Sequence, residues 1–336
     1  MKTEVIKINP HRIELYKIKK AAKVIRKGGL VAFPTETVYG LGADVFNVKA
    51  VKKIFEVKNR PFNDPLIVHI AHKEDIFEIA KEIEKRALIL IEKFWPGPLT
   101  IVLKRSFRIP DLVTAGLDTV AIRMPSHPVA LSLIKESKTA IVAPSANLFG
   151  RPSPTTAKHV LEDLKDKIDL IIDAGKTPLG VESTIVDLTK RPVSILRLGG
   201  VSLEELKKVI PEIRLYKKRA IIAPGMFRRH YSPHAKLVLV EEGKKQTEKV
   251  KEIAYRFLKE GKKVGIMAKK ENESKYKNFR VKVLGPAGDF LTCAKNLFSL
   301  LRDFDREKID VIIVEGIKEE GLGRAIMERL RKAESR

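Results

Sequence analysis

In 336 residues the chain has one cysteine, Cys293, one tryptophan, Trp95, and one glutamine, Gln246. A single cysteine excludes an intrachain disulfide, a CxxC metal site and a redox pair. Cys293 lies in LTCAKNLFSLL, an apolar helical pattern, and reads as a core residue. No segment reaches the roughly 18 apolar residues of a membrane span. The stretch up to Gly29 carries charges throughout and has no apolar core for a signal peptide. A soluble, cytoplasmic protein without a membrane partner is therefore expected. Also missing is a P-loop, the glycine pattern that ends in Lys and Ser/Thr. GLGADV and GLGRAI each lack the third glycine of a dinucleotide fingerprint. Two common nucleotide folds are thereby disfavoured.

What is abundant is positive charge. Lys and Arg total 66 against 42 acidic residues, a net +24. That balance favours an anionic partner, either nucleic acid or a phosphate-bearing small molecule. Abundant Lys, Glu and Ile beside scarce Gln and Cys equally fit a heat-adapted protein with a charged surface. The length suggests two domains.

Residues 139–156, TAIVAPSANLFGRPSPTT, organise the first of them. An apolar run through Ala143 makes a buried strand. It breaks into Pro144, Ser145, Asn147, Gly150, Arg151 and Ser153. Small hydroxyls, an amide and a guanidinium after a strand suit phosphate oxygens, with Arg151 as a charge-assisted donor. The same residues also make an ordinary turn-rich loop.

From the start, residues 14–27 form an amphipathic helix and 30–33 a strand. Residues 34–45 follow as a loop with hydroxyls at Thr35, Thr37 and Tyr39, where Gly40 and Gly42 permit close backbone approach. After a helix over 49–57, Lys58 and Arg60 flank Asn59. In an extended segment their side chains share one side and make a triphosphate clamp; a basic helix C-terminus favoured by the dipole is the plainer reading. Residues 66–70 form a strand bearing His69, and 73–94 one charged amphipathic helix. The strand 119–124 carries Arg123 among apolar neighbours. A buried arginine needs an anionic partner, a carboxylate of the protein or of a ligand. Ser183 and Thr184 sit where a loop enters the strand 185–188. Arg197 ends another strand before Gly199-Gly200. This first domain reads as mixed α/β with a twisted, partly antiparallel sheet.

Periodicity fades near 211–236, where APGMFRRHYSPHA packs aromatic, arginine and histidine residues into a run unlike a passive linker. His230 and His234 do not make a metal pair, since Pro233 breaks the helix they would need. Strands and helices then alternate regularly, as in a small parallel Rossmann-like domain.

FPTETVYGLG, KNRPFNDPLIVH, FWPGPLT, VAIRMP, APSANLFGRPSPT, GVESTIVD and ILRLGG, in that order, resemble the YrdC-like domain of threonylcarbamoyl-AMP synthases. HYSPH and the second α/β domain are similar to the long, two-domain, thermophilic archaeal type. The resemblance implies a YrdC-like domain with a concave basic surface over 14–201, a linker over 202–236 and a Rossmann-like domain over 237–336. It implies a nucleotidyltransferase that joins L-threonine, bicarbonate or carbon dioxide, and ATP into threonylcarbamoyl-adenylate and pyrophosphate. The product serves a modification of tRNAs reading ANN codons, and a downstream complex makes the transfer to tRNA. Magnesium accompanies ATP, with Ser145 the protein candidate to touch it. Carried over by motif, Lys58 and Arg60 are catalytic and hold phosphates. Thr119, Ser145, Asn147, Ser153, Arg197 and Tyr231 complete the ATP set. Thr35, His69, Arg123, Ala143 and Ser183 cradle threonine, and Tyr231 closes over the nucleotide as a gate. The competing readings are a carbamoyl-phosphate-dependent carbamoyltransferase and a double-stranded RNA or tRNA-binding module without chemistry.

Overall fold

A computed structural model describes residues 2–216, 222–227 and 230–334. By contacts the chain divides into two units. One comprises Met1–Phe149, Ser153–Pro178 and Glu182–Phe227, the other Gly150–Pro152, Leu179–Val181 and Arg228–Arg336.

The first unit holds twelve strands: β1 Glu4–Lys7, β2 Val31–Pro34, β3 Tyr39–Asp44, β4 Ile67–His69, β5 Ala80–Lys81, β6 Leu99–Arg105, β7 Thr119–Arg123, β8 Ile141–Val142, β9 Leu170–Asp173, β10 Thr184–Asp187, β11 Ser194–Arg197 and β12 Arg214–Leu215. Their order is β1-β9-β2-β3-β8-β4-β7-β6-β10-β11-β12, with β5 on β6. Parallel pairs (β4 with β7, β10 with β6) and antiparallel pairs (β6 with β7, β3 with β8) mix, as expected of this domain. Helices cover the sheet with faces their sequences dictate. In Leu15–Arg26 the buried residues Ile18, Ala21, Ala22 and Ile25 form one stripe. In Val48–Lys58 the Asn47 side chain accepts from the Ala50 N–H, and Asn59 ends the helix in the left-handed conformation.

Several elements differ from expectation. Residues 73–94 are not one helix. A turn at Lys73–Asp75, one helical turn at Ile76–Ile79 and β5 precede the helix Lys85–Phe94. Ala80 pairs with Arg105 at the sheet edge, and Glu82 takes a φ of 56°. Sheet pairing there overrides a helix-forming composition that contains no Gly or Pro. Residues 39–44 are a strand, not a loop. β2 and β3 form a hairpin closed by Thr35, whose hydroxyl donates to the Val38 carbonyl at 2.7 Å. The glycines serve this packing, since a Cβ on Gly42 would lie 2.8 Å from the Phe33 ring.

The unit boundaries also differ from those expected. β1 pairs with β9, so residues before 14 join the first sheet. Ser202 caps the helix Leu203–Lys207 through a capping box with Glu205, and β12 pairs with β11, so 202–216 belong there too.

The second unit has four parallel strands, β13 Lys236–Val240, β14 Val264–Lys269, β15 Arg280–Gly285 and β16 Val311–Glu315, in the order β13-β16-β14-β15. Helices Gln246–Lys259, Phe290–Arg306 and Gly323–Glu334 alternate with them, the Rossmann-like arrangement the sequence predicts. Cys293 is buried in this unit. Among the described residues no helix is long and apolar enough to cross a membrane.

Candidate active site

Most of the expected threonine set converges where β4 and β7 end and β6 and β10 begin. His69 is the register partner of Arg123, and Arg123 of Thr100. The Thr100 and Ser183 hydroxyls lie 2.7 Å apart. Ala143 N–H donates to the Ile67 carbonyl at 3.0 Å, which puts Ala143 beside the same strand as His69. Thr35 joins through Thr37. Their hydroxyls lie 2.8 Å apart, and Arg123 Nη1 donates to Thr37 Oγ1 at 2.9 Å.

Arg123 is buried, and its anionic partner is a carboxylate of the protein. Glu36 Oε1 lies 2.6 Å from Nη2. Burial, and then the Arg123 charge, push the His69 imidazole down to about 3. It is therefore neutral at ordinary pH, a hydrogen-bonding group rather than a cation.

The cations of the ATP set gather round Asp64. Arg60 Nη2 lies 2.8 Å from Asp64 Oδ2, and the charges of Lys58 and Arg197 act on the same carboxylate. Burial outweighs all three attractions and holds the Asp64 carboxyl above its usual range. Lys58 Nζ donates to the Ser145 carbonyl at 2.6 Å and to that of Asn147, so it ties the helix end to the 144–149 loop. Lys58 and Arg60 do not project from an extended segment. Asn59, at φ 51°, turns the chain between them, and both side chains are buried. Arg197 donates from Nε and Nη2 to the Ser183 carbonyl, and from Nη2 to the Ser183 hydroxyl at 3.1 Å. Ser153 Oγ donates to Glu182 Oε1 at 2.5 Å. Segment 182–184 therefore touches both groups, through Ser183 to Thr100 and to Arg197. Gly199 lets β11 finish across it, since a Cβ there would lie 2.3 Å from the Glu182 carbonyl oxygen.

Three expected residues lie outside these groups. Thr119 opens β7 opposite Lys104, whereas Arg123 closes the strand, so the two stand about 13 Å apart. Arg151 belongs to the second unit, where its guanidinium is 2.9 Å from Asp305 Oδ2; that carboxylate has taken the donor expected for phosphate. Tyr231 is also in the second unit and buried. Its ring stacks on Phe298 at 5.4 Å with the Arg329 guanidinium 5.1 Å from its centre.

Glu36, Asp64, Thr100 and Glu182 were not singled out by sequence. The requirement of Arg123 for a carboxylate was the available signal for Glu36. Among the described residues no three His, Cys, Asp or Glu side chains converge as a metal site.

Comparisons with known proteins give the family. A family described as telomere recombination (Sua5, YciO and YrdC) matches residues 23–199, and one described as threonylcarbamoyl-AMP synthase, C-terminal domain, matches 201–335. The threonylcarbamoyl-AMP synthase of Pyrococcus abyssi is 51% identical over 96% of this chain and 95% of its own length. That of Bacillus subtilis is 43% identical over 94% of this chain and 92% of its own. The crystal structure of P. abyssi Sua5 complexed with L-threonine superposes with a TM-score of 0.93 at 50% identity, covering 99% of this chain and 98% of that one. From its buried cationic strand ends to these matches over nearly its whole length, the chain belongs to the threonylcarbamoyl-AMP synthase family, enzymes of the nucleotidyltransferase type.

Proposed function

We propose that this chain condenses L-threonine, carbon dioxide or bicarbonate, and ATP into threonylcarbamoyl-adenylate and pyrophosphate. The product supplies a complex that modifies the adenosine next to the anticodon of tRNAs reading ANN codons, in the cytoplasm where those tRNAs work. The observation that carries this reading is segment 182–184. One hydroxyl, that of Ser183, meets Thr100 of the Arg123 group and Arg197 of the Asp64 group. Two substrates held by those groups would lie side by side.

Arg123 takes the threonine carboxylate, with Thr35, neutral His69, Ala143 and Ser183 around the rest of the amino acid. Lys58, Arg60 and Arg197 face the triphosphate with Ser145, Asn147 and Ser153. The assignments of Thr119 and Tyr231 to ATP rest on the family resemblance alone. The α-ammonium gives up a proton, the neutral amine adds to carbon dioxide and releases a second proton to water, and a carbamate oxygen then displaces pyrophosphate from the α-phosphorus. Neither step requires a protein nucleophile, so rate comes from positioning and charge neutralisation. Magnesium fits here only as a companion of ATP: the protein offers neutral oxygens, the Ser145 hydroxyl and the Asn147 amide, and the phosphates bring the charge. Bound in that way it supplies neutralisation of phosphate charge.

The test is incubation with ATP, threonine and labelled bicarbonate. Threonine-dependent pyrophosphate release with label in an adenylate is expected. Salt-sensitive RNA binding without turnover would instead favour a binding module.

A further inference from the structure

Glu36 has no assigned role, and its surroundings are unusual for a carboxylate. Its side chain is 11% exposed, and Oε1 faces Arg123 Nη2 at 2.6 Å. Neither carboxylate oxygen has a hydrogen-bond partner among the described residues: Oε1 has only its ion contact with Arg123, and Oε2 has no such contact. The nearby hydroxyl protons are committed elsewhere, that of Thr35 to the Val38 carbonyl and so that of Thr37 to Thr35 Oγ1. An anionic oxygen buried without a donor is costly, and a donor arriving with a ligand removes that cost.

Arg123 has capacity left as well. Of its five N–H groups, Nε donates to the Gly97 carbonyl and one on Nη1 to Thr37, while Nη2 makes only its ion contact with Glu36. One N–H on each terminal nitrogen remains. The two neighbouring imidazoles add no second cation. Burial holds both His69 and His127 below the usual histidine range, and the Glu36 charge only partly opposes this at His127.

A guanidinium with spare donors beside a carboxylate with a spare acceptor matches an α-amino acid, which carries both charges on one carbon. We propose that Glu36 Oε2 binds the α-ammonium of the amino-acid substrate and makes this site select for an amine. The proposal rests on the reading of Arg123 as the carboxylate-binding group. It differs from the simpler idea that Glu36 merely occupies Arg123 until a substrate carboxylate displaces it.

The two ideas predict opposite effects. The full-length protein is titrated with L-threonine and, by competition, with 3-hydroxybutyrate, which keeps the carboxylate and hydroxyl but lacks the amine. Glu36→Gln is expected to weaken threonine at least ~10-fold while changing 3-hydroxybutyrate less than about 2-fold. Tighter binding of both by Glu36→Gln, as a displaced stand-in requires, overturns the proposal; so does equal weakening of both. If Glu36→Gln does not fold, Glu36→Asp is titrated in its place; it keeps the charge but withdraws the oxygen by one methylene. It too is expected to lose affinity for threonine only, and parallel loss overturns the proposal. Failure of the underlying reading looks different. Then wild type does not bind threonine, or Arg123→Lys leaves both affinities unchanged.

Discussion

The two units differ in which charges they bury at their strand ends. In the first, Lys58, Arg60, Arg123 and Arg197 are all buried, and many of their partners are main-chain carbonyls: those of Ser145, Asn147, Pro65, Gly97 and Ser183. Asp64 lies against Arg60, and Glu36 against Arg123. In the second, Glu315 ends β16 fully buried and accepts from Lys269 N, Asn272 Nδ2 and the Tyr276 hydroxyl. Gln246, the only glutamine, ties the Val240 and Gly316 carbonyls together and accepts from Lys269 Nζ. That place, at the carboxyl ends of parallel strands, is where open α/β sheets usually take ligands. Here Glu315 and Lys269 of the sheet bond to Gln246, Asn272 and Tyr276 beside it. The first unit instead sets Lys58, Arg60 and Arg197 round one carboxylate, Asp64, where a phosphate can supplement their neutral partners.

The sharpest way to break this contrast is Lys58→Ala. Threonine-dependent pyrophosphate release is expected to fall ~10²- to 10³-fold, as when one preorganised charge-stabilising donor is removed. Wild-type turnover would show that the buried cations serve packing alone.

Glu315→Ala tests the other half. It strands the buried Tyr276 hydroxyl and two half-buried donors, and a loss of about 3 kcal/mol of stability is expected in thermal or denaturant unfolding. Below the unfolding transition kcat and KM should match wild type. A selective rise in KM for ATP or threonine would put a ligand at the strand ends of the second unit.

Burial of neutral His69 adds a pH dependence to the first unit. The unfolded imidazole takes a proton near pH 6.5, whereas the folded one resists until about pH 3. Between those values the unfolded state binds more protons, so stability is full above pH 6.5 and declines as pH falls. By pH 5 the loss is about 2 kcal/mol, from 1.5 units at 1.36 kcal/mol each. His69→Asn should flatten that slope, and an unchanged slope would assign the acid sensitivity to other groups.

The smallest effect expected is at Asn59, whose left-handed conformation places Lys58 and Arg60. Asn59→Gly should change stability by a few tenths of a kcal/mol, and Asn59→Ala should cost about 1 kcal/mol. Circular dichroism melts separate the two.

Elements whose periodicity served packing were legible in the sequence. The stripe of Ile18, Ala22 and Ile25, the alternating second unit and the buried run at 141–142 are examples. What sheet pairing decided was hidden. Nothing local in residues 80–84 announces an edge strand, and glycines at 40 and 42 look like a loop until Phe33 is seen against them. The motifs gave residue types but not connections. Lys58 and Arg60 share a neighbourhood through Asp64 rather than through an extended backbone, and Glu36 was passed over between two threonines. Thr119 and Arg123 sit in one strand yet at its opposite ends, four residues apart.

Segment 182–184 has one more consequence. With Ser183 gripped from both sides and Gly199 crossing its backbone, it has little freedom to answer one ligand without informing the other. Threonine and nucleotide affinities should therefore be thermodynamically linked, each shifting the other by the same factor. A substitution that nudges this tripeptide would then be inherited by both binding constants together.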